Sequence, residues 1–236
     1  MLKYVEIAND IRDKILQEVY IPNEQLPFEK DLGEQYKASK MTVKKALDML
    51  VAEGLIVKRR GAGTFVKDVQ IKDIQRLLLS SQFEGLTASN YKHEVTSQVI
   101  EFAVIPANED ICEKLKLEPD SFVYKIIRLR LIDGKPTVIE ETYMPLALMP
   151  NFKKSILEGS LYEYIEDTLG YKIQSAHRTI HVRKATPFEI EHLRLEENDP
   201  IADVQQVGFL DNGQPFEYSL SFHHYSFYEF KTVIIK

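Results

Sequence analysis

Cysteine is nearly absent: Cys112 is the sole thiol in 236 residues. One thiol closes no intrachain disulfide, so stability has to come from packed cores. Long apolar runs are missing too, and none approaches the roughly 20 residues that a membrane-spanning helix needs. The opening stretch, Met1 to Leu16, is amphipathic and mixed in charge. It has neither the apolar block nor the small-residue cleavage site of an export signal. These absences together predict a cytoplasmic protein with no membrane partner. Nucleotide-binding glycine loops, a Gly-x-Ser-x-Gly elbow and spaced serine or cysteine triads are also lacking. No cofactor is expected, and no metal: His223 and His224 are adjacent and face opposite ways on a strand. His177 and His181 are four apart on a strand, where that spacing does not bring them together as it would on a helix. Cys112, on an apolar helix face, reads as a buried small hydrophobe.

What is present is an ordinary globular composition, 44% hydrophobic and 28% charged, in a chain long enough for one domain or two. The formal net charge of -6 hides an asymmetry. Between Lys37 and Lys67, eight lysines and arginines face two acids, a local +6, which leaves -12 on the rest. A basic segment on an acidic body suggests a confined anionic partner, the alternative being a solvated charged face.

Placement favours the partner. Ile7, Ile11, Ile15 and Val19 recur every four residues and predict a helix over 4–19. Pro27 suits the first turn of a second helix, Phe28 to Tyr36. A third begins after the N-cap Ser39, buries Met41, Val43, Ala46, Leu47, Leu50 and Val51, and stops at Gly54. Lys40, Lys44 and Lys45 crowd its first turns, where the macrodipole disfavours cations. Phosphates and guanine acceptors would offset that cost. Two β-rich runs then flank Arg60-Gly61-Ala62-Gly63, a hairpin whose glycines let backbone approach a narrow groove while Lys58, Arg59 and Arg60 meet phosphates. Three helices and a hairpin make a winged helix.

Four ordered blocks carry a resemblance: Leu26-Pro27-Phe28-Glu29-Lys30, Ser39 through Leu47, Glu53-Gly54-Leu55, and Gly61 through Val66. They resemble the GntR family pattern LPSER, SRMTVRxAL, EGL and GxGTFV. The resemblance implies a DNA-binding regulator, with base and phosphate contacts from Lys30, Lys40, Thr42 and Lys44. Ser39, Lys45, Arg60 and Thr64 flank them, and Gly61 or Gly63 enters the minor groove. It also implies a homodimer on a palindromic operator in double-stranded DNA, with DNA at residues 1–67, a linker at 68–80 and an effector and dimerisation domain at 81–236.

The second half contains an internal echo. Residues 106–118, a strand, Asp133-Gly134 and a strand match 186–196, a strand, Asn212-Gly213 and a strand at an offset of 78 to 79 residues. Each copy is a short helix feeding a hairpin. Strands are predicted at 95–104, 122–132, 137–143, 171–182, 201–210 and 217–224, with 232–235 closing an edge and a helix over 160–169. The fold class is therefore α+β, a winged helix-turn-helix followed by a mostly antiparallel sheet under helices. Arg128-Leu129-Arg130, Asp133 to Pro136, Ile139-Glu140, Ser160-Leu161-Tyr162, Gly213 to Glu217 and Tyr228 are similar to the UTRA effector domain of the HutC branch, which has a chorismate-lyase-like fold.

Arg128 and Arg130 share a sheet face. Buried arginine pairs demand a counter-charge. Either Glu140 or Glu141 supplies it across the hairpin, or a small effector does, as paired guanidinium forks suit phosphate or carboxylate. The resemblance implies the latter: Arg128, Arg130, Ser160 and Ser81 around an anionic group, as in a phosphosugar, with Glu140, Glu217 and Tyr228 on effector hydroxyls. Two other readings are a chorismate-lyase-like enzyme and a regulator with a degenerate pocket. The second follows from the chain's end, where the family's arginine and aspartate are replaced by His224 and Ser226.

The family usually has arginine where this chain has Lys30, Lys40 and Lys44, and serine at Phe28. Lysine is a point charge, without the fork that grips guanine O6 and N7. In vitro selection from random duplexes is expected to return sites with weak guanine dependence under these lysines. Firmly required G·C pairs there would refute this.

Overall fold

The computed structural model describes residues 2–68, 85–90, 92–230 and 232–234. Ser81, one of the expected effector residues, and most of the linker lie outside them. The chain divides into two compact units, Met1–Gln82 with Phe230–Lys236, and Phe83–Glu229. By packing, the last seven residues thus count with the first unit, whereas the sequence reading kept them with the second. The Val233 side chain lies against Gly54, close enough that a Cβ on that glycine would stand 2.9 Å from it.

In the first unit, helix α1 (Lys3–Leu16) buries Ile7, Ala8, Ile11 and Ile15. It stops a turn earlier than periodicity predicts: Glu18 turns left-handed at φ 58°, and Val19 is exposed. Helix α2 (Glu29–Tyr36) starts one residue later than expected, because Phe28 is its extended N-cap. Pro27 therefore precedes the cap and is not in the first turn. Helix α3 (Lys40–Ala52) begins as predicted, with Ser39 Oγ accepting from the Thr42 amide at 3.2 Å. Gly54 follows its end at φ 77°. Val43, Ala46, Leu47 and Leu50 are fully buried, and Met41 is not: it is 71% exposed. Two residues from Val43, it sits about 200° around the helix axis, on the side away from the core. Bidentate contacts from Arg12 to Glu53, at 2.9 and 2.5 Å, fasten α1 to the end of α3.

Strands β1 (Ile56–Arg59) and β2 (Gly63–Val66) form the predicted hairpin, Ile56 opposite Val66. Its base is anchored by the loop before α2: Leu26 N donates to Thr64 O, Asn23 N to Val66 O, and Val66 N to Glu24 O, all at 2.9 to 3.0 Å. Alternation along β2 turns Thr64 and Val66 inward.

The second unit is a six-stranded antiparallel sheet in the order β3-β4-β5-β8-β7-β6. The strands are β3 (Val95–Pro106), β4 (Phe122–Ile132), β5 (Lys135–Pro145), β6 (Ile173–Lys184), β7 (Pro200–Leu210) and β8 (Pro215–His224). Helix α4 (Leu86–Ser89) precedes β3, α5 (Glu109–Leu115) follows it, α6 (Leu161–Glu163) lies between β5 and β6, and α7 (Pro187–Leu193) follows β6. The internal echo is structural. The two halves, β3-α5-β4-β5 and β6-α7-β7-β8, mirror each other about the β5–β8 seam. N-caps Asn108 and Thr186, left-handed Lys116 and Arg194, and left-handed Asp120 and Asn198 are each 78 residues apart.

The two turns differ. Asp133-Gly134 is a two-residue turn with both φ positive, 49° and 73°, the geometry that matches strand twist. Asn212-Gly213 lies in a longer loop between β7 and β8, where only Gly213 is left-handed and Asn212 Oδ1 accepts from Gln214 N. Residues 232–234 are not in a strand, so the expected edge strand is not formed there, and Ile235 lies outside the described residues. Cys112 is half-buried and directs its thiol to backbone carbonyls of Ala107 and Glu118.

One sheet face packs Ile127, Leu129, Ile139 and Ile201 against Leu193 of α7, with Ile111 and Leu115 of α5 on Val123 and Tyr218. The other packs Tyr124, Ile126 and Met144 against Leu157, Leu161 and Ile165. The expected helix over 160–169 is α-helical only at Leu161–Glu163 and then widens into a π turn at Tyr164–Thr168. No helix among the described residues is long and apolar enough to cross a membrane.

Glu189 shows how α7 is fixed. It completes the capping box with Thr186 and takes both ends of the Arg183 guanidinium, at 2.6 and 2.8 Å, while Arg183 also reaches Asp203 at 2.9 Å. Burial pushes its carboxyl up, but the bonds from Arg183 and the Thr186 amide outweigh that and hold it below its ordinary value. A depressed folded-state value gives stability that is present above the unfolded value and lost as pH falls through the folded one. Glu189→Gln is therefore expected to lower stability by about 2 kcal/mol at pH 7. In urea titrations followed by circular dichroism, that gap narrows as the pH falls below about 4.

Candidate functional site

Two places on the molecule concentrate chemistry. On the first unit, a groove of about 1070 Å³ is lined by Phe28, Glu29 and Lys30 before and within α2, Lys40 at the start of α3, and Lys58 to Gly61 of the hairpin. Its cations are not equivalent. Lys40 and Lys44 are exposed and, among the described residues, enter no ion pair. Lys30 is 85% exposed and only 4.0 Å from Glu34. Lys45 lies over the Tyr4 ring at 3.9 Å, so its charge is partly engaged. Lys58, expected to meet phosphate, pairs with Asp48 at 2.7 Å and approaches Glu29 at 3.9 Å, so its charge is engaged within the protein. Arg59 lies over Phe65, and Arg60 is exposed at the hairpin tip.

The small residues sort as well. Ser39 and Thr42 hydroxyls bond each other at 2.8 Å. Gly61, φ 78°, has open space where a side chain would go. Gly63, φ 120°, has none, since a Cβ would meet Gln25 Nε2, which donates to Ala62 O. Gly63 is thus needed to seat the wing on the preceding loop. Thr64, expected among the contacts, is 8% exposed and faces inward, because β2 alternates.

The second place is the sheet face under α6. Arg128 and Arg130 are each 3% exposed and converge on one oxygen of Glu140, Arg128 at 2.7 Å and Arg130 at 3.2 Å. Of the two acids left open by the sequence, Glu140 is the partner. It stands directly opposite Arg128, whereas Glu141 faces the other side and accepts from Tyr143. Arg128 Nη1 also donates to the carbonyls of Leu157 and Gly159, both at 3.1 Å, and Arg130 Nη2 to Thr87 at 2.8 Å. The Nε atoms of both arginines have no protein partner. Two guanidinium charges thus share one carboxylate. Burial pushes Glu140 up, but Arg128 and Arg130 outweigh it and hold the carboxyl low and ionised.

Glu217 accepts from Tyr162 Oη at 2.6 Å. Burial pushes its carboxyl up to about 7, helped by nearby Glu140 and opposed by the Tyr162 bond. Tyr162 in turn accepts from Gln206 Nε2 at 3.1 Å, and Gln206 Oε1 accepts from Arg178 at 2.6 and 2.9 Å. Burial pushes His223 down to about 4, so its ring stays neutral at pH 7, and it packs on Tyr228 at 4.5 Å. Tyr228 Oη is buried without a protein hydrogen bond. Ser160 caps α6 through the Glu163 amide, one residue from the Gly159 carbonyl that Arg128 holds.

The structure thus brings Arg128, Arg130, Glu140 and Glu217 onto one sheet face, with Ser160 beside it. Tyr162, Arg178, Gln206 and His223 were missed by sequence reasoning. A signal existed for Gln206: the 78-residue echo makes it the counterpart of Arg128, and Ser219 stands opposite Gln206 as Glu140 stands opposite Arg128. His224 and Ser226, the two departures from the family pattern, bond each other at 2.8 Å.

Residues 3–66 match the family described as bacterial regulatory proteins, gntR family, and residues 90–229 match the UTRA domain. The chain belongs to the GntR family. It is 39% identical over 236 residues to the HTH-type transcriptional regulator GmuR of Bacillus subtilis strain 168, covering all of both chains. It is 30% identical to MngR of Escherichia coli K12, a mannosyl-D-glycerate transport/metabolism system repressor, covering 98% of this chain and 95% of that one. Among solved structures, YydK of Bacillus subtilis, described as a possible transcriptional regulator, superposes over the full length of both chains with a TM-score of 0.77 at 30% identity. The chain is a DNA-binding transcription regulator of the GntR and UTRA type, with a small-molecule effector domain.

The different engagement of its lysines is measurable. Each phosphate contact contributes about 0.9 to the slope of log affinity against log salt. Lys40→Ala and Lys44→Ala are each expected to weaken operator binding and reduce that slope by about 1. Lys58→Ala, whose ammonium is held by Asp48, is expected to leave the slope nearly unchanged. Fluorescence anisotropy over a range of salt concentrations distinguishes these outcomes.

Proposed function

We propose that this regulator is a cytoplasmic repressor of a sugar or metabolite uptake or catabolism operon, released from its operator by a small anionic metabolite of the phosphosugar type. The observation that carries the reading is the pairing of Arg128 and Arg130 with a single carboxylate, Glu140. A buried site with more guanidinium than carboxylate charge favours an anionic ligand. The repressor name of MngR, tied to mannosyl-D-glycerate transport and metabolism, supports a saccharide-linked operon.

Residues 1–67 contact DNA, 68–80 connect, and 81–236 hold effector and dimer contacts. Lys30, Lys40, Lys44 and Arg60 meet phosphates or bases, Ser39 and Thr42 hold the opening of α3, and Gly61 approaches the minor groove. A homodimer places two such surfaces on the half-sites of a palindrome. Effector release follows if the metabolite binds one dimer arrangement better than the other, and it is bounded by that difference in affinity.

A gel shift on the DNA upstream of the protein's own gene, repeated with a panel of sugar phosphates and their unphosphorylated sugars, tests this. Release by a phosphorylated compound and not by its parent sugar is expected; release by the neutral sugar alone would sink the anionic assignment. Glu217 gives the release a pH dependence. Above about 7 its ionisation adds negative charge beside the anion, so affinity falls. Glu217→Gln is expected to flatten that fall in calorimetric titrations between pH 6 and 8. The phosphate's own ionisation near 6 is common to both proteins, so their difference isolates Glu217.

A further inference from the structure

The apolar residues of α3 divide by exposure. Val43, Ala46, Leu47 and Leu50 are completely buried, while Met41 is 71% exposed; Phe28, at the cap of α2, is 60% exposed. At about 100° per residue, Val43, Leu47 and Leu50 gather on one side of α3. Met41 projects from the opposite side, between the directions of Lys44 and Lys45. Scattered exposed apolar side chains are ordinary on a protein surface. These two are set among cations. Phe28 lines the same groove as Lys30, Lys40 and Arg60. Met41 follows Lys40 directly and lies one turn before Lys44 and Lys45, which places it at the centre of the cationic face.

A surface of unpaired lysines selects a polyanion. Contacts from lysine to phosphate fix register and carry no sequence information. A lysine meeting a base does so without the planar fork that makes arginine selective. Asp48, two turns on along the same side, is taken by Lys58, which leaves the Met41 thioether as the outward apolar group, and the apolar feature that a duplex presents in its major groove is the C5 methyl of thymine. Methionine is unbranched and adaptable, so it can reach such a methyl without a preformed pocket.

We propose that Met41 is a specificity-determining residue of the operator contact, reading a thymine methyl group from the outward side of α3, with Phe28 extending the apolar part of the same surface. This rests on the reading of α3 as the helix that enters the major groove. The sequence alone places Met41 in the core; its exposure is what assigns it a partner outside the protein.

The test isolates one methyl group. In vitro selection with the full-length protein supplies a bound duplex. Each thymine of one half-site is then replaced in turn by deoxyuridine, which removes the methyl and keeps the pairing edge. In fluorescence anisotropy at fixed salt, the wild-type protein is expected to show one thymine whose replacement weakens binding roughly fourfold, the effect of one buried methyl. Met41→Ala is expected to bind thymine and deoxyuridine at that position equally, and Met41→Leu to retain discrimination. Both variants should keep the wild-type melting curve, because the side chain is exposed. Equal sensitivity in wild type and Met41→Ala, or no sensitive thymine in the wild type, overturns the proposal and leaves operator binding intact. If selection enriches no duplex at all, the DNA reading beneath it fails.

Discussion

The effector half depends on Glu140. Without its carboxylate, Arg128 and Arg130 would bring two like charges together at 3% exposure each, an arrangement that a low-dielectric interior strongly disfavours. With it, both guanidinium groups meet a counter-charge and are held in place. The constraint spreads outward from there. Arg128 also binds the carbonyls of Leu157 and Gly159, so the segment that leads into Ser160 and α6 is tethered to the same charge. Arg130 binds Thr87 and so tethers α4. One carboxylate therefore sets the position of two segments from different parts of the chain.

The winged helix obeys a complementary rule. Charges that stabilise the fold are paired, as in Arg12 with Glu53 and Lys58 with Asp48. Charges at the opening of α3 are left to solvent. Lys40 and Lys44 gain nothing from their place in the helix, where the macrodipole opposes them. Lys40 and Lys44 therefore stay available to an anion from outside the protein. The wing is held with equal care: Gly63 admits Gln25, Gln25 reaches Ala62 O, and the loop before α2 bonds the base of β2. Of the two wing glycines, Gly61 is the one with open space around its α-carbon.

Much of this was legible in the sequence because it depends on local rules. Caps at Ser39 and Thr186, the left-handed stop at Gly54 and the two-residue Asp133-Gly134 turn are written in single residues. The sheet's duplication was written in a 78-residue offset. What was not legible depends on direction and register. Met41 fits an apolar pattern, but its angular position turns it away from the core. Thr64 lies within a DNA-contact motif, but strand alternation turns it inward. Glu140 and Glu141 were equivalent until the register set Glu140 opposite Arg128. The Arg178-Gln206-Tyr162-Glu217 chain joins β6, β7, α6 and β8, and no spacing in one segment announces a contact among four.

The duplication also gives this sheet face a polarity. In the first half, β4 and β5 bring Arg128 opposite Glu140; in the second, the matching positions on β7 and β8 bring Gln206 opposite Ser219. Equivalent backbone therefore carries an ion pair on one side of the seam and a neutral pair on the other, the neutral pair flanked by Arg178 and Glu217. Across the second side, Gln206 and Tyr162 pass a hydrogen bond to Glu217, whose carboxyl burial keeps close to half-protonated at neutral pH. Symmetric architecture with asymmetric side chains thus makes the two sides of the seam chemically different.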